Sequence, residues 1–258
     1  MSRVMSEDSS DCLSIPKKQY KLVITGPIGV GKTTSYAKIS KYLKEKYGDD
    51  NVSEIREYLD GVYNITSQEL LSRYLNGKLS NACFQNYIQT HYIVELTNEK
   101  MQKPIVIFER CMSDSVAIFC NNANDELPDD PMGLSNFQFT MMYETCVCVD
   151  KAANAPNYFT KNFSFSRLKT DTIAQTVDAI IDIIKSDMAA GIENRVIGLY
   201  NTPEICYERI LIRSRDGESS YTPESIKRNC HAYDKLYELI ESPCKHIRLF
   251  DLGELYRP

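Results

Sequence analysis

Short, almost wholly apolar runs alternate along the chain with longer stretches whose apolar residues recur every three or four positions. Tyr20-Lys21-Leu22-Val23-Ile24-Thr25, Pro104-Ile105-Val106-Ile107-Phe108 and Arg195-Val196-Ile197-Gly198-Leu199-Tyr200 read as buried strands. Val52 to Glu57 alternates like a short strand, Cys146-Val147-Cys148-Val149 looks strand-like, and His246-Ile247-Arg248-Leu249-Phe250 reads as a last one. Helical spacing marks residues 34–47, 67–76, 81–100, 113–122, 134–144, 172–188 and 222–241, and Asn201-Thr202-Pro203-Glu204 has the form of a cap opening a further helix. Strands alternating with helices predict an α/β fold, a parallel β-sheet flanked by helices on both faces, with ligands at the carboxyl ends of the strands. Residues 1–17 are too polar to repay ordering and are expected as a disordered tail before one domain over 18–258. Residues 123–133, rich in Asp and Pro, read as a loop, and 145–171 lack a sustained period and are set aside as an insertion or peripheral subdomain.

The first strand runs directly into Gly26-Pro27-Ile28-Gly29-Val30-Gly31-Lys32-Thr33-Thr34, a G-x-x-x-x-G-K-T loop that opens a helix. Glycines allow the tight turn that points several backbone N–H groups inward, and the positive end of the helix dipole adds to them, so the loop is a cradle for phosphate oxygens. Lys32 is expected to reach the β- and γ-phosphates of a bound nucleotide and Thr33 to hold Mg²⁺. The loop alone does not say which acceptor is served.

Composition narrows the setting. The 258 residues are 43% hydrophobic and 25% charged, ordinary for a globular domain, and the net charge of -5 argues against a nucleic-acid polymer as partner. The nine cysteines include no C-x-x-C pair, which suits reduced thiols in a cytoplasmic or other intracellular protein better than a disulfide framework. No apolar stretch is long enough to span a membrane and no secretory signal is evident, so no membrane partner is expected.

Three classes use such a loop. A GTPase switch needs an N-K-x-D base reader, which the sequence lacks; Asp130-Pro131-Met132-Gly133 offers only a D-x-x-G without a preceding strand. An assembly or motor ATPase places an Asp after an apolar strand, as Val147-Cys148-Val149-Asp150 could imitate. A small-molecule kinase needs a carboxylate beside the acceptor hydroxyl, a magnesium carboxylate and arginines over the transferring group. Glu57, Glu109 and the set Arg209, Arg213 and Arg215 supply those three parts.

The chain resembles the deoxynucleoside kinase family, which includes the cellular deoxynucleoside kinases and the herpesvirus thymidine kinases. The matching pieces are the loop from Gly26 to Thr34, the strand ending in Glu57, Tyr74 followed by Phe84-Gln85-Asn86-Tyr87, Phe108-Glu109-Arg110, and Arg209-Ile210-Leu211-Ile212-Arg213-Ser214-Arg215-Asp216-Gly217-Glu218, which is similar to the lid of viral thymidine kinases. The resemblance implies a P-loop NTPase-type sheet with an arginine-bearing lid and an ATP- and Mg²⁺-dependent 5'-phosphorylation of a deoxynucleoside. It implies that Glu57 contacts the 5'-hydroxyl with Arg110 nearby, and that Glu109 acts on Mg²⁺ together with Thr33. Gln85 would read the pyrimidine edge, with Tyr92 on the same helical face and Phe119 stacked on the base. Tyr74 and Glu218 would hold the sugar 3'-hydroxyl, while Lys32, Arg209, Arg213 and Arg215 serve the phosphates. Glu54 rivals Glu57, because the family's Glu-Pro is here Glu57-Tyr58. Where deoxycytidine-preferring members carry an Arg and an Asp beside the base, this chain has Tyr92 and Ser115, which favours thymidine or a broad pyrimidine range. Arg73 stands where an apolar methionine is common, and the resemblance also allows a homodimer. A nucleoside monophosphate kinase and a non-catalytic nucleotide-binding module remain as alternatives.

Overall fold

The computed structural model describes residues 15–57, 67–120, 134–214 and 218–252. The expected tail up to residue 14, the loop 123–133 with its D-x-x-G, and Arg215 lie outside the described residues.

Five strands, β1 (Tyr20–Thr25), β2 (Val52–Ile55), β3 (Ile105–Glu109), β4 (Ser164–Lys169) and β5 (Asn194–Tyr200), form one all-parallel sheet in the order β2-β3-β1-β5-β4. The register sets Ile24 of β1 beside Glu109 of β3 and Ile197 of β5. The helices are α1 (Lys32–Tyr47), α2 (Ser67–Leu75), α3 (Asn81–Thr97), α4 (Met112–Asp114), α5 (Asn136–Ala153), α6 (Ile173–Ala190), α7 (Pro203–Arg213), α8 (Pro223–Glu241) and α9 (Leu249–Leu252), with α4 continuing into the π-helical segment Ser115–Cys120. Ser80, Ser135, Thr172, Thr202 and Thr222 start α3, α5, α6, α7 and α8, each side chain accepting a first-turn amide of its helix. Each such cap is worth about 1 kcal/mol.

Because successive strand residues point to opposite faces, the central strands must be apolar on both. Leu22, Ile24, Ile105, Ile107, Ile197 and Leu199 pack with Tyr36, Ile39 and Leu43 of α1 and Ile180 and Ile184 of α6. Val23, Val106, Phe108 and Val196 pack on the other side with Phe84, Ile88 and Tyr92 of α3 and Tyr233, Leu236 and Tyr237 of α8. Burial of each such side chain contributes about 1.5–3 kcal/mol against the entropy of ordering the chain. From β1 the chain runs out to β2 at one edge, and after β3 it crosses to β4 at the other. The connections therefore diverge at the carboxyl ends of β1 and β3, where doubly wound sheets open a crevice.

Three expectations change. Cys146 to Val149 is not a strand but part of α5, whose buried Phe139, Met142, Cys146 and Asp150 keep helical spacing. The Asp150 carboxylate is accordingly no magnesium ligand after a strand; it is buried, and its Oδ2 accepts from Asn157 Nδ2 at 2.8 Å and Ser113 Oγ at 3.3 Å. Burial pushes that carboxyl up to about 7, against the opposing hydrogen bonds from Asn157, Cys146 and Ser113. Residues 145–171, set aside as an insertion, instead supply the end of α5 and β4, an edge strand paired with β5 along its whole length. Its residues are half-buried or exposed rather than alternating, which hid the period. His246 to Phe250 forms no strand either: residues 246–248 are irregular and lead into α9.

Candidate active site

The loop Gly26 to Thr34 leaves β1 at the carboxyl edge of the sheet and enters α1. Gly26 has φ 148° and a Cβ there would stand 2.5 Å from the Leu199 carbonyl oxygen; Gly29 has φ 81° and a Cβ would run into the Cys206 carbonyl. Both positions need glycine for conformation and for space. Gly31, in the left-handed region, precedes α1, which unlike α3, α5, α6, α7 and α8 has no side-chain cap, so its N-terminal amides are left to another acceptor. The Ile28 N–H donates to Asn229 Oδ1 of α8 at 2.9 Å, pinning the middle of the loop.

Lys32 is 6% exposed, and its Nζ donates to the Pro27 carbonyl at 2.8 Å. Burial first, and the neighbouring Arg110 charge second, lower its ammonium to about 7, against the pull of Glu57, Glu109 and Asp114. Thr33 Oγ1 donates to Glu109 Oε1 at 2.5 Å, so the two expected metal residues meet. Burial, and then the Glu57 charge, raise the Glu109 carboxyl, partly offset by Thr33, Lys32 and Arg110. An alcohol and a carboxylate are hard oxygen donors of the kind that suits Mg²⁺ beside phosphate oxygens. Among the described residues no group of three His, Cys, Asp or Glu side chains could hold a metal ion unaided.

Beside them Glu57 Oε1 lies 2.7 Å from Arg110 Nε, a largely buried ion pair. Glu54, the rival carboxylate, faces α1, where it accepts from Ser40 at 2.5 Å and pairs with Lys44 at 2.6 Å. Glu57 is therefore the carboxylate at the crevice. Arg110 sits at φ 63°, an uncommon conformation for a residue with a side chain, and its N–H donates to the Ile24 carbonyl at 3.0 Å. Its guanidinium lies 5.0 Å from the Phe119 ring centroid and donates through Nη1 to the Tyr233 hydroxyl.

Tyr233 donates onward to Asp114 Oδ1 at 2.9 Å, and Asp114 also accepts from Thr25 Oγ1 at 2.5 Å, Tyr158 OH at 2.9 Å and the Cys111 N–H at 2.9 Å. Sequence reasoning missed Asp114, Tyr158, Tyr233 and Asn229. Only the position of Asp114, just past the Glu109-Arg110 strand end, signalled any of them.

Gln85 is buried and its amide is engaged by Ser115 and Asn81, while Tyr92 is buried and donates to the Glu109 carbonyl at 3.3 Å. Tyr74 stacks on Phe84 with centroids 4.6 Å apart. Arg73 points elsewhere, to Glu69 one turn back on the exposed face of α2. Of the lid residues, Arg213 pairs with the buried Glu218, donating through Nε to Oε2 at 3.0 Å. Arg209 instead straps the loop: Nη1 donates to the Val30 carbonyl at 2.8 Å and Nη2 to the Thr170 carbonyl at 2.8 Å. Tyr221 was not singled out in the sequence; burial first, and then the charges of Glu218 and Glu57, raise its hydroxyl pKa.

A deoxynucleoside kinase family model matches residues 22–151, half of the chain. The chain belongs to the deoxynucleoside kinase family. The match begins in β1 and takes in the phosphate loop, Glu57, Gln85 and Glu109-Arg110 of this kinase, and it stops within α5, short of the lid arginines. No curated protein matches the kinase. Among its described residues no helix is long and apolar enough to cross a membrane.

Proposed function

We propose that the kinase transfers the γ-phosphoryl group of ATP to the 5'-hydroxyl of a pyrimidine deoxynucleoside, thymidine first, giving the monophosphate. The observation that carries this reading is the ion pair of Glu57 with Arg110, 2.7 Å apart, electrostatically coupled to Lys32 of the phosphate loop. Magnesium, when bound, spreads the charge of the phosphates, and Thr33 and Glu109 are the residues that would hold it. A carboxylate is a poor base for an alkanol, so Glu57 orients the hydroxyl and accepts its proton late, once a loose transition state has formed. Arg110 fixes the Glu57 carboxylate. Arg209 supports the loop from below, and Arg213 with Arg215 supplies charge from the lid. Tyr74 and Glu218 face the sugar, and Gln85, Tyr92 and Phe119 face the base.

One assay with radiolabelled ATP and magnesium tests the reading, using the four deoxynucleosides and thymidylate as separate acceptors. Label is expected on thymidine first and on deoxycytidine next. Label on thymidylate alone would make the protein a monophosphate kinase, and label on none would leave a nucleotide-binding module.

Lys32 provides an independent check. Triphosphate favours its charged form, so binding raises a pKa that stands at about 7 in the free protein and draws in a proton. Calorimetry in buffers of different ionisation enthalpy should show uptake of close to one proton per site at about pH 8.5, and hardly any near pH 6. Lys32→Arg, always charged, should bind without uptake. Equal uptake in that variant would place the proton elsewhere.

A further inference from the structure

Gln85 does more than sit at the base side of the crevice, because its amide is held in one of its two orientations. Ser115 Oγ donates to Gln85 Oε1 at 2.8 Å, and Gln85 Nε2 donates to Asn81 Oδ1 at 3.1 Å. The direction of this chain is anchored outside it. Asn81 Nδ2 donates to the backbone carbonyl of Phe119 at 3.3 Å, and a carbonyl can only accept. Asn81 must therefore turn its nitrogen to Phe119 and its oxygen to Gln85. Gln85 must in turn present nitrogen to Asn81 and oxygen to Ser115. The anchoring carbonyl belongs to the π-helical segment Ser115–Cys120, a local geometry that recurs at functional sites. Gln85, Asn81 and Ser115 are all buried, so water does not compete for these bonds.

A carboxamide has two N–H donors and two acceptor positions on its oxygen, and this relay uses one of each. Among the described residues one N–H and one acceptor position stay available, with their order fixed. We propose that Asn81 and Ser115 are specificity-determining residues: by locking the polarity of the Gln85 amide they decide whether it accepts the imide edge of thymine and uracil or the amidine edge of cytosine. The inference rests on Gln85 facing the base. The two edges present donor and acceptor in opposite senses, the imide offering N3–H beside a carbonyl and cytosine an N3 acceptor beside an amino group. A glutamine free to turn over serves both edges. A locked one pairs with one of them and sets donor against donor and acceptor against acceptor with the other, leaving buried polar groups unpaired.

The test is the ratio of kcat/KM for thymidine to that for deoxycytidine, in the full chain and in Gln85→Ala, Asn81→Ser, Ser115→Val and Ser115→Thr. Wild type is expected to favour one base by about 10-fold or more. Ser115→Val keeps the shape without the hydroxyl and, like Asn81→Ser, should bring the ratio several-fold closer to one. Ser115→Thr restores the donor and should restore the ratio. A purely structural role would lower both kcat/KM values together and leave the ratio unmoved, which overturns the lock, as does a wild-type ratio near one. A ratio that shifts in Gln85→Ala but in neither partner variant also overturns the lock while sparing the base-reading role. If Gln85→Ala leaves the ratio as it was, that role itself falls.

Discussion

Glu57→Gln is expected to lower kcat by about 10²–10³-fold while the KM for thymidine changes by less than about threefold. The substitution keeps an oxygen for Arg110, so the pairing geometry survives, and it removes only the negative charge and the capacity to take a proton. If Glu57 acts late on the hydroxyl proton, that loss falls on the transition state and leaves ground-state binding nearly intact. The position of Glu57 argues for this division, since it is tied by one short ion pair to Arg110. Steady-state kinetics decide the matter, with a thermal melt to confirm folding. A variant within about fivefold of wild-type kcat removes Glu57 from the chemistry, and a rise in KM alone makes it a substrate anchor.

The second large effect is on stability. Asp114→Ala takes the acceptor away from the hydroxyls of Thr25, Tyr158 and Tyr233 and from the Cys111 N–H, all belonging to buried residues. Each buried donor left unpaired costs about 1–3 kcal/mol, so even with partial rearrangement the loss should reach about 4–6 kcal/mol. For a chain of this size the melting temperature should fall by roughly 10–20 °C. Asp114→Asn keeps one acceptor oxygen and should lose less. Urea and thermal denaturation of both variants measure the effect; a fall under about 3 °C for Asp114→Ala would mean that the network holds without its centre.

The parts legible in the sequence are those whose physics is local. β1, β3 and β5 are sandwiched between helices, so each shows as an almost wholly apolar run, and the loop after β1 carries its function in its own spacing. Lys32 and Thr33 could be named from the spacing of that loop, and Glu109 and Arg110 because they sit at the end of β3. β4 escaped because an edge strand such as Ser164–Lys169 is half-exposed and alternates nothing. Val147 and Val149 misled because two valines among cysteines imitate a strand, whereas the helical signal lay in the longer spacing of Phe139, Met142, Cys146 and Asp150. Asp114 and its partners were illegible for another reason: Tyr233 is 119 residues away along the chain, and Asn229 is 201 residues from the Ile28 amide it accepts. No single-window pattern encodes such pairs.

Asn229 and Tyr233 stand one turn apart on α8, the first pinning the phosphate loop at Ile28 and the second holding Arg110. Four residues of α-helix advance about 6 Å, and a helix of this kind scarcely stretches. α8 is thus a ruler laid along the crevice, setting the gap between the phosphate loop and Arg110. Neither end of that gap can shift without carrying the other with it.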